Sequence, residues 1–270
     1  MVVRRPPPAL APFVESIWYF AGDLAHTRER ILPTGAMQIL VNLHEDELRT
    51  YHGPAYDQVV RSRGAVLGGA HDDHFAIDTA EQRRIVGVSF KPGGAYPFFA
   101  PPSDAIGAAH VELDALWGRD GAVLRERLLE APTPAAALRT LEAVLLARAV
   151  RPLERDPALA YALDALDGPA RIGDVTDRLG MSPKRFLRRF SAEVGLTPKR
   201  FARVRRFRRV LGAVERGRAV EWAQVALDCG YFDQAHMIHD FRAFSGINPT
   251  AYRPRTPGEL SHVPLSDSAG

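Results

Sequence analysis

Two stretches near the C-terminus decide the fold: residues 179–201, LGMSPKRFLRRFSAEVGLTPKRF, and residues 229–252, CGYFDQAHMIHDFRAFSGINPTAY. Gly180, Phe190, Gly195, Pro198 and Phe201 of the first recur as Gly230, Phe241, Gly246, Pro249 and Tyr252 of the second, offset by fifty or fifty-one positions. Such a repeat names the structural unit before single residues are weighed. In each copy a short helix with apolar periodicity (Ile172, Val175, Leu179; Trp222, Val225, Ala226, Cys229) ends at a glycine able to close it in the left-handed region. A capping residue follows, Ser182 with Pro183 behind it or Asp233, and opens a second helix. That helix puts Phe186, Phe190 and Val194, or Met237, Phe241 and Phe244, on one face. Each unit reads as a helix-turn-helix.

The same spacing leaves Lys184, Leu187, Arg188 and Ser191 on the free face of the first such helix, and Gln234, Ala235, Ile238, His239 and Arg242 on that of the second. Cationic groups pair with guanine edges, glutamine with adenine, and small apolar groups with the thymine methyl, a mixture suited to a major groove. The alternative is two ordinary helical hairpins with solvated faces; the repetition in register argues against it. Charge agrees. From Arg171 to Arg255 eighteen Lys and Arg stand against eight Asp and Glu, a net of +10, while the remainder carries −7 within a chain total of +3. Clustered positive charge is the footprint of phosphate binding.

Between the two units runs PKRFARVRRFRRVLGAVE, Pro198 to Glu215. Phe201, Val204, Phe207, Leu211 and Val214 recur at helical spacing, which predicts one long amphipathic helix whose other face is nearly all arginine. A rigid connector of this kind would set two recognition helices into successive major grooves, about 34 Å apart.

At these residues the chain closely resembles the AraC/XylS family of bacterial transcription regulators, over roughly residues 170–254. Two units, a linker helix and the terminal G-x-N-P-x-x-Y-R motif (Gly246 to Arg253) all fall in the family's order. The resemblance implies double-stranded DNA as partner, with base contacts at Lys184, Leu187 and Arg188 and at Gln234, Ala235, Ile238 and His239. Backbone contacts are expected at Ser182, Arg185, Ser191 and Arg242, and a structural or backbone role at Arg206 on the linker helix. RNA polymerase is a further implied partner if the protein activates. His239 stands where the family commonly has arginine and Met237 where it has phenylalanine, so the second unit is expected to read DNA weakly. Histidine offers a single donor in its neutral form and less phosphate attraction than arginine.

The expected class is α+β: a small β-barrel or sandwich over residues 1–112, a helical connector over 113–168, the tandem helix-turn-helix domain over 169–256, and a disordered tail over 257–270. Short β-like runs (SIWYF, MQILVNL, ELRTY, QVVRS, AVLGG, HFAID, RRIVGVSF) fill the first part, separated by turn residues. Connector helices are expected at Leu113 to Trp117, Ala122 to Glu130, Pro134 to Val150 and Pro157 to Leu166. The stripe Leu138, Leu141, Leu145 and Leu146 serves either packing within the chain or a homodimer contact. Leu32-Pro33-Thr34-Gly35 and Phe90-Lys91-Pro92-Gly93-Gly94, with Gly68 and Gly69 between, resemble the uncharacterised β-barrel sensor domain found ahead of some AraC-type DNA-binding regions, over roughly residues 8–150. An effector pocket is therefore expected, with Trp18, Tyr19, Phe90, Lys91, Tyr96 and Phe98 as its candidate lining and Lys91 as the candidate anchor for an anionic group; the competing use of these aromatics is the domain's own core.

Enzymatic readings fare poorly. His71-Asp72-Asp73-His74 lacks the spacing of a cupin metal site and reads as an exposed loop, and His236 with His239 has no further ligands nearby, so no metal and no cofactor are expected. Cys229, the single cysteine, falls on an apolar helix face with no neighbouring base to activate it, which leaves an alkyl-accepting repair activity, like a metal-dependent barrel enzyme, a remote alternative and excludes an internal disulfide framework. No phosphate-cradling glycine loop or serine elbow is present. Without an apolar run of spanning length or a secretion signal, a cytoplasmic regulator with no membrane association is expected.

Overall fold

The structure, a computed structural model, describes residues 1–215 and 221–265. Eleven strands are described: β1 (Val2–Arg4), β2 (Val14–Ala21), β3 (Arg28–Ile31), β4 (Gln38–Asn42), β5 (Glu47–His52), β6 (Gln58–Arg63), β7 (Ala65–Gly68), β8 (Phe75–Asp78), β9 (Arg84–Phe90), β10 (His110–Glu112) and β11 (His262–Pro264). They make two antiparallel sheets, ordered β1-β2-β9-β4-β7-β10 and β11-β3-β8-β5-β6. The α+β class holds, and of the expected barrel or sandwich the structure shows the sandwich, two open sheets facing one another.

Strand parity assigns the two faces of the six-stranded sheet. Ile17, Ile39, Val41, Leu67, Val86 and Val88 point to the main core, whereas Trp18, Phe20, Leu40, Val66 and Ile85 point to the second sheet and form a smaller apolar cluster with Leu48. Trp18 lies opposite Gly87 in the β2–β9 register, and a Cβ there would meet the indole at 2.5 Å. Glycine at 87 therefore makes room for the large ring on the inner face.

The helices are α1 (Ser103–Ile106), α2 (Leu113–Trp117), α3 (Arg119–Leu129), α4 (Pro134–Ala147), α5 (Pro157–Asp167), α6 (Ile172–Leu179), α7 (Pro183–Val194), α8 (Pro198–Glu215), α9 (Trp222–Asp228) and α10 (Gln234–Ser245). Helix α4 covers the outer face of the six-stranded sheet, burying Leu138, Leu141 and Leu145 against β2 and β9. Leu146 stays 40 % exposed, so the leucine stripe is used mainly within the chain. Helix α8 is the spine of the C-terminal part: Phe201 meets Phe190 of α7 with ring centres 5.5 Å apart, and Phe207 meets Phe241 and Phe244 of α10 at 5.2 and 5.3 Å. One continuous core runs from the sheet through α8 into both helix-turn-helix units.

The disordered tail is corrected over its described part. After Tyr252 the chain turns back, and His262–Pro264 pairs with Arg28–Ile31 as an edge strand of the five-stranded sheet. Val263 is buried, and the Tyr252 hydroxyl donates to the Leu260 carbonyl at 2.8 Å. A proline-bearing polar stretch reads as a tail because its pairing partner lies more than two hundred residues upstream. Residues 266–270 lie outside the described residues.

Candidate nucleic-acid interface and inter-sheet cavity

Helix α7 is held at both ends by the chemistry its sequence carries. The Ser182 hydroxyl accepts the Arg185 N–H at 3.4 Å, Pro183 occupies the first turn, and Gly195 closes the helix at φ 88°. Phe186, Phe190 and Val194 are buried, leaving Lys184, Arg185, Leu187 and Arg188 exposed together. Leu187 is 46 % exposed. Ser191 is a correction: its hydroxyl is buried and unpaired rather than presented for a backbone contact. The C-terminal end of α7 is seated on the N-terminal domain. There the Ser103 hydroxyl donates to the Glu193 carbonyl at 3.0 Å, and Gly195 lies against Ala70 and Met37. Arg189 pairs with Asp156 and with Glu193.

Helix α10 is capped by Asp233, whose carboxylate accepts the His236 N–H at 2.7 Å, and closed by Gly246 at φ 67°. Gln234, Ala235, His239 and Arg242 are exposed; Ile238, expected among the base contacts, is half-buried and packs on the core. The Arg242 guanidinium donates to the Asn248 side chain at 2.5 Å. Gly246 lies so close to the His74 imidazole that a Cβ would approach it to 2.5 Å, which places the end of this unit also against the N-terminal domain.

The arginine face of α8 is largely committed within the chain. Arg203 binds the buried Asp240 at 2.7 Å, Arg205 binds Asp167 at 2.5 Å, and Arg209 reaches Asp167 and the Cys229 carbonyl. Arg200 pairs with Asp72 and Arg208 with Ser261. Arg206, for which the resemblance implies a structural or backbone role, sits 5.3 Å above the Tyr231 ring with its Nε buried, which fits the structural one. Half-buried arginines with carboxylate partners locate helices; they are not free cations for phosphate. The exposed cations of α7 are thus a larger share of the binding charge than the sequence total suggests.

Most of the candidate pocket residues take the competing use, the domain's own core. Phe90, Phe98 and Phe99 are buried on the helix side of the sheet, Phe99 stacked on Trp117 at 5.0 Å, and Tyr19 packs on the same core. Lys91 donates to the Ala11 carbonyl at 2.9 Å, and Tyr96 lies beneath Arg151 at 4.0 Å. Of that set Trp18 lines the inter-sheet cavity. The cavity lies between the two sheets as adjoining chambers of about 290 and about 110 Å³, sharing Trp18, Gln38, Ile77, Gln82, Ile85 and His262. Opposite parity to the core was the signal for it: in β9 the residues Ile85, Gly87 and Ser89 alternate with Val86, Val88 and Phe90.

One wall of the larger chamber is an ion cluster closed by the returning tail. The fully buried Glu29 accepts from Arg255 at 2.9 and 3.0 Å and contacts His262 at 2.9 Å and His26 at 2.6 Å. Burial alone would raise this carboxyl; the hydrogen bond and charge of His262, then the charge of Arg255, hold it at about 2 instead. Arg255 also binds Glu259 through two 2.9 Å contacts. The smaller chamber holds His71, Phe75 and His110. The His71-Asp72-Asp73-His74 run thus links three places: His71 faces this chamber, Asp72 pairs with Arg200 of α8, and His74 lies under Gly246. Among the described residues no group of three or more His, Cys, Asp or Glu could hold a metal ion, and no helix is long and apolar enough to cross a membrane.

These features define a DNA-binding regulator of the helix-turn-helix class. Residues 175–255 match a family model described as a helix-turn-helix domain, and the C-terminal third of the chain is such a domain of the AraC type. Residues 3–112 match a domain of unknown function, DUF6597. No curated protein matches the chain. Among solved structures the chain is similar to ToxT from Vibrio cholerae, at TM-score 0.46 and 9 % identity over 87 % of this chain and 96 % of that one. It is also similar to ToxT from Vibrio cholerae O395 bound to (E)-4-(8-methylnaphthalen-1-yl)but-3-enoic acid, at 0.48 and 8 % over 87 % and 97 %. The xylose-binding transcription activator xylR is similar at 0.30 and 17 % over 43 % and 37 %.

Proposed function

We propose that this protein is a sequence-specific, cytoplasmic transcription regulator whose affinity for its operator is set by a small molecule held in the N-terminal domain. The observation that carries the reading is the position of α7: its first half presents Lys184, Arg185, Leu187 and Arg188 to solvent, while its last turn is hydrogen-bonded to Ser103 of the N-terminal domain. A change in the domain that holds one end of a rigid helix changes how the other end meets DNA, and an effector acts to the extent that it favours one arrangement over another. In this reading Lys184, Leu187 and Arg188, with Gln234, Ala235 and His239, meet base edges. Arg185, Arg242 and the Ser182 cap meet phosphates, and no catalytic reaction is assigned.

A ligand-independent regulator that self-associates through its N-terminal domain is the second reading. It is favoured by Val59 and Val60, 45 % and 51 % exposed on β6 at the end of the five-stranded sheet. Selection of bound sequences from a random DNA library, at two salt concentrations, tests the common part: two enriched blocks about one helical turn apart are expected. Binding with no enrichment and a steep salt dependence would reduce the protein to a non-specific binder. Sedimentation at rising concentration separates the two readings, since only the second requires a dimer.

A further inference from the structure

The inter-sheet cavity has a polar inventory that restricts what it can hold. In the larger chamber the charges are already matched: Glu29 is bonded by Arg255, His262 and His26, and Arg255 is bonded again by Glu259. An anion would have to displace Glu29 or Glu259, and a cation would have to displace Arg255, each leaving a buried charge unpaired. The smaller chamber has apolar and aromatic walls, Leu40, Leu48, Phe75 and Ile77 among them, beside the polar side chains of Thr34, Gln38, His71, Gln82, Ser261 and His262, and one buried polar atom in its lining is unpaired. His110 lines that chamber, and its Nδ1 is buried with no hydrogen-bond partner. Burial lowers the imidazole to about 4, so it is neutral at ordinary pH. Buried polar atoms are nearly always satisfied, and an orphan in a cavity wall marks a place where a ligand completes the bonding.

We propose that the two chambers form one binding site for a neutral, mostly apolar ring compound carrying a hydroxyl, which seats that hydroxyl on His110 and its ring against Phe75 and Trp18. A hydroxyl answers either tautomer of the imidazole, because it both donates and accepts. This rests on the N-terminal domain being an effector sensor, and it supplies the chemical class of that effector.

The test uses the full-length protein and four probes on one scaffold: para-butylphenol, butylbenzene, para-butylbenzoate and para-butylbenzylammonium. Calorimetric titration is expected to rank the phenol about tenfold tighter than each of the others, the worth of one satisfied buried hydrogen bond. In His110→Phe the phenol and butylbenzene are expected to bind alike, the added ring leaving the apolar contacts in place. Should that variant fold poorly, the unmutated protein with isotope-labelled histidine gives the same answer: the phenol, and not butylbenzene, shifts the His110 ring-nitrogen resonance. Equal binding of phenol and butylbenzene to the unmutated protein, tightest binding by a charged probe, or no binding by any probe overturns the proposal. Operator affinity is read separately. A His110-dependent phenol that leaves operator affinity unchanged keeps the site and removes the sensor reading. Cell extracts that alter operator affinity, when no probe binds, remove the site and keep the sensor reading.

Discussion

The two helix-turn-helix units come from one repeated pattern, yet they are built into the molecule differently. The first is joined to the N-terminal domain by apolar packing, the Ser103 hydrogen bond to the Glu193 carbonyl and the Arg200–Asp72 pair, and it keeps Lys184, Arg185 and Arg188 exposed. The second is followed by a strand that returns to the N-terminal domain and locks there through the buried Glu29–Arg255–His262 cluster, while its recognition helix offers mainly neutral groups. A repeat in sequence therefore fixes the shape of each unit but not its share of the work. The first is suited to grip DNA, and the second to hold a defined pose relative to the cavity.

The sharpest way to break this contrast is at the lock. Arg255→Gln leaves Glu29 buried without its guanidinium, and a broken buried pair costs roughly 3 to 5 kcal/mol. Denaturant titration should show that loss, with hydrogen exchange rising first in β11 and β3. The pH dependence follows from Glu29, whose folded value lies below the ordinary 4.5. The stability it contributes is fully present above that ordinary value and is lost as pH falls toward about 2. In Arg255→Gln this acid-dependent loss should be smaller. An unchanged stability at neutral pH would mean that the strand is held by Val263 and its backbone pairing alone.

Next in size is the grip. Arg188→Ala is expected to weaken operator binding by about 1 to 3 kcal/mol and to relax preference at one base position, whereas His239→Ala should cost less. Equal loss on every DNA sequence would reassign Arg188 to phosphate, and a larger loss at His239 would reverse the ranking of the two units.

What could be read from the sequence divides along the same line. Caps, closing glycines and the apolar faces of α7 and α10 were legible because a helix end is settled by residues three or four positions apart. The commitment of α8's arginines was not: Asp72, Asp167 and Asp240 reach Arg200, Arg205 and Arg203 only after the chain has folded. Nor was the returning tail, whose Arg255 meets a glutamate 226 positions away. Pocket and core could not be told apart for a simpler reason. Aromatic residues mark both faces of a sheet, and only the position of the second sheet decides that Trp18 faces a cavity while Phe90 and Phe98 face helices.

The caps permit an internal comparison of smaller effect. Ser182→Ala and Asp233→Ala each remove one acceptor from a helix start and should each cost about 1 kcal/mol of stability. Because the Ser182 hydroxyl is also assigned a phosphate contact and Asp233 is not, operator affinity should fall more for Ser182→Ala than for Asp233→Ala once binding is measured well below the melting temperature. The opposite order would remove Ser182 from the phosphate contacts.

The smallest expected effect sharpens the comparison most, because it asks whether the second unit lacks only a side chain. His239 is exposed on α10 at the face shared with Gln234 and Ala235. Arginine there would have the length and fork geometry to meet a guanine edge, yet it would also lose more rotamer freedom on binding, so the net gain should not exceed about 1 kcal/mol. With His239→Arg, sequence selection should return a second block with a new guanine preference and little change in salt dependence. If instead the slope of log affinity against log salt steepens by about 0.9 with no new base preference, the added charge has gone to a phosphate. In that case the weak readout of the second unit comes from how the locked strand poses α10 over the groove, and not from the histidine.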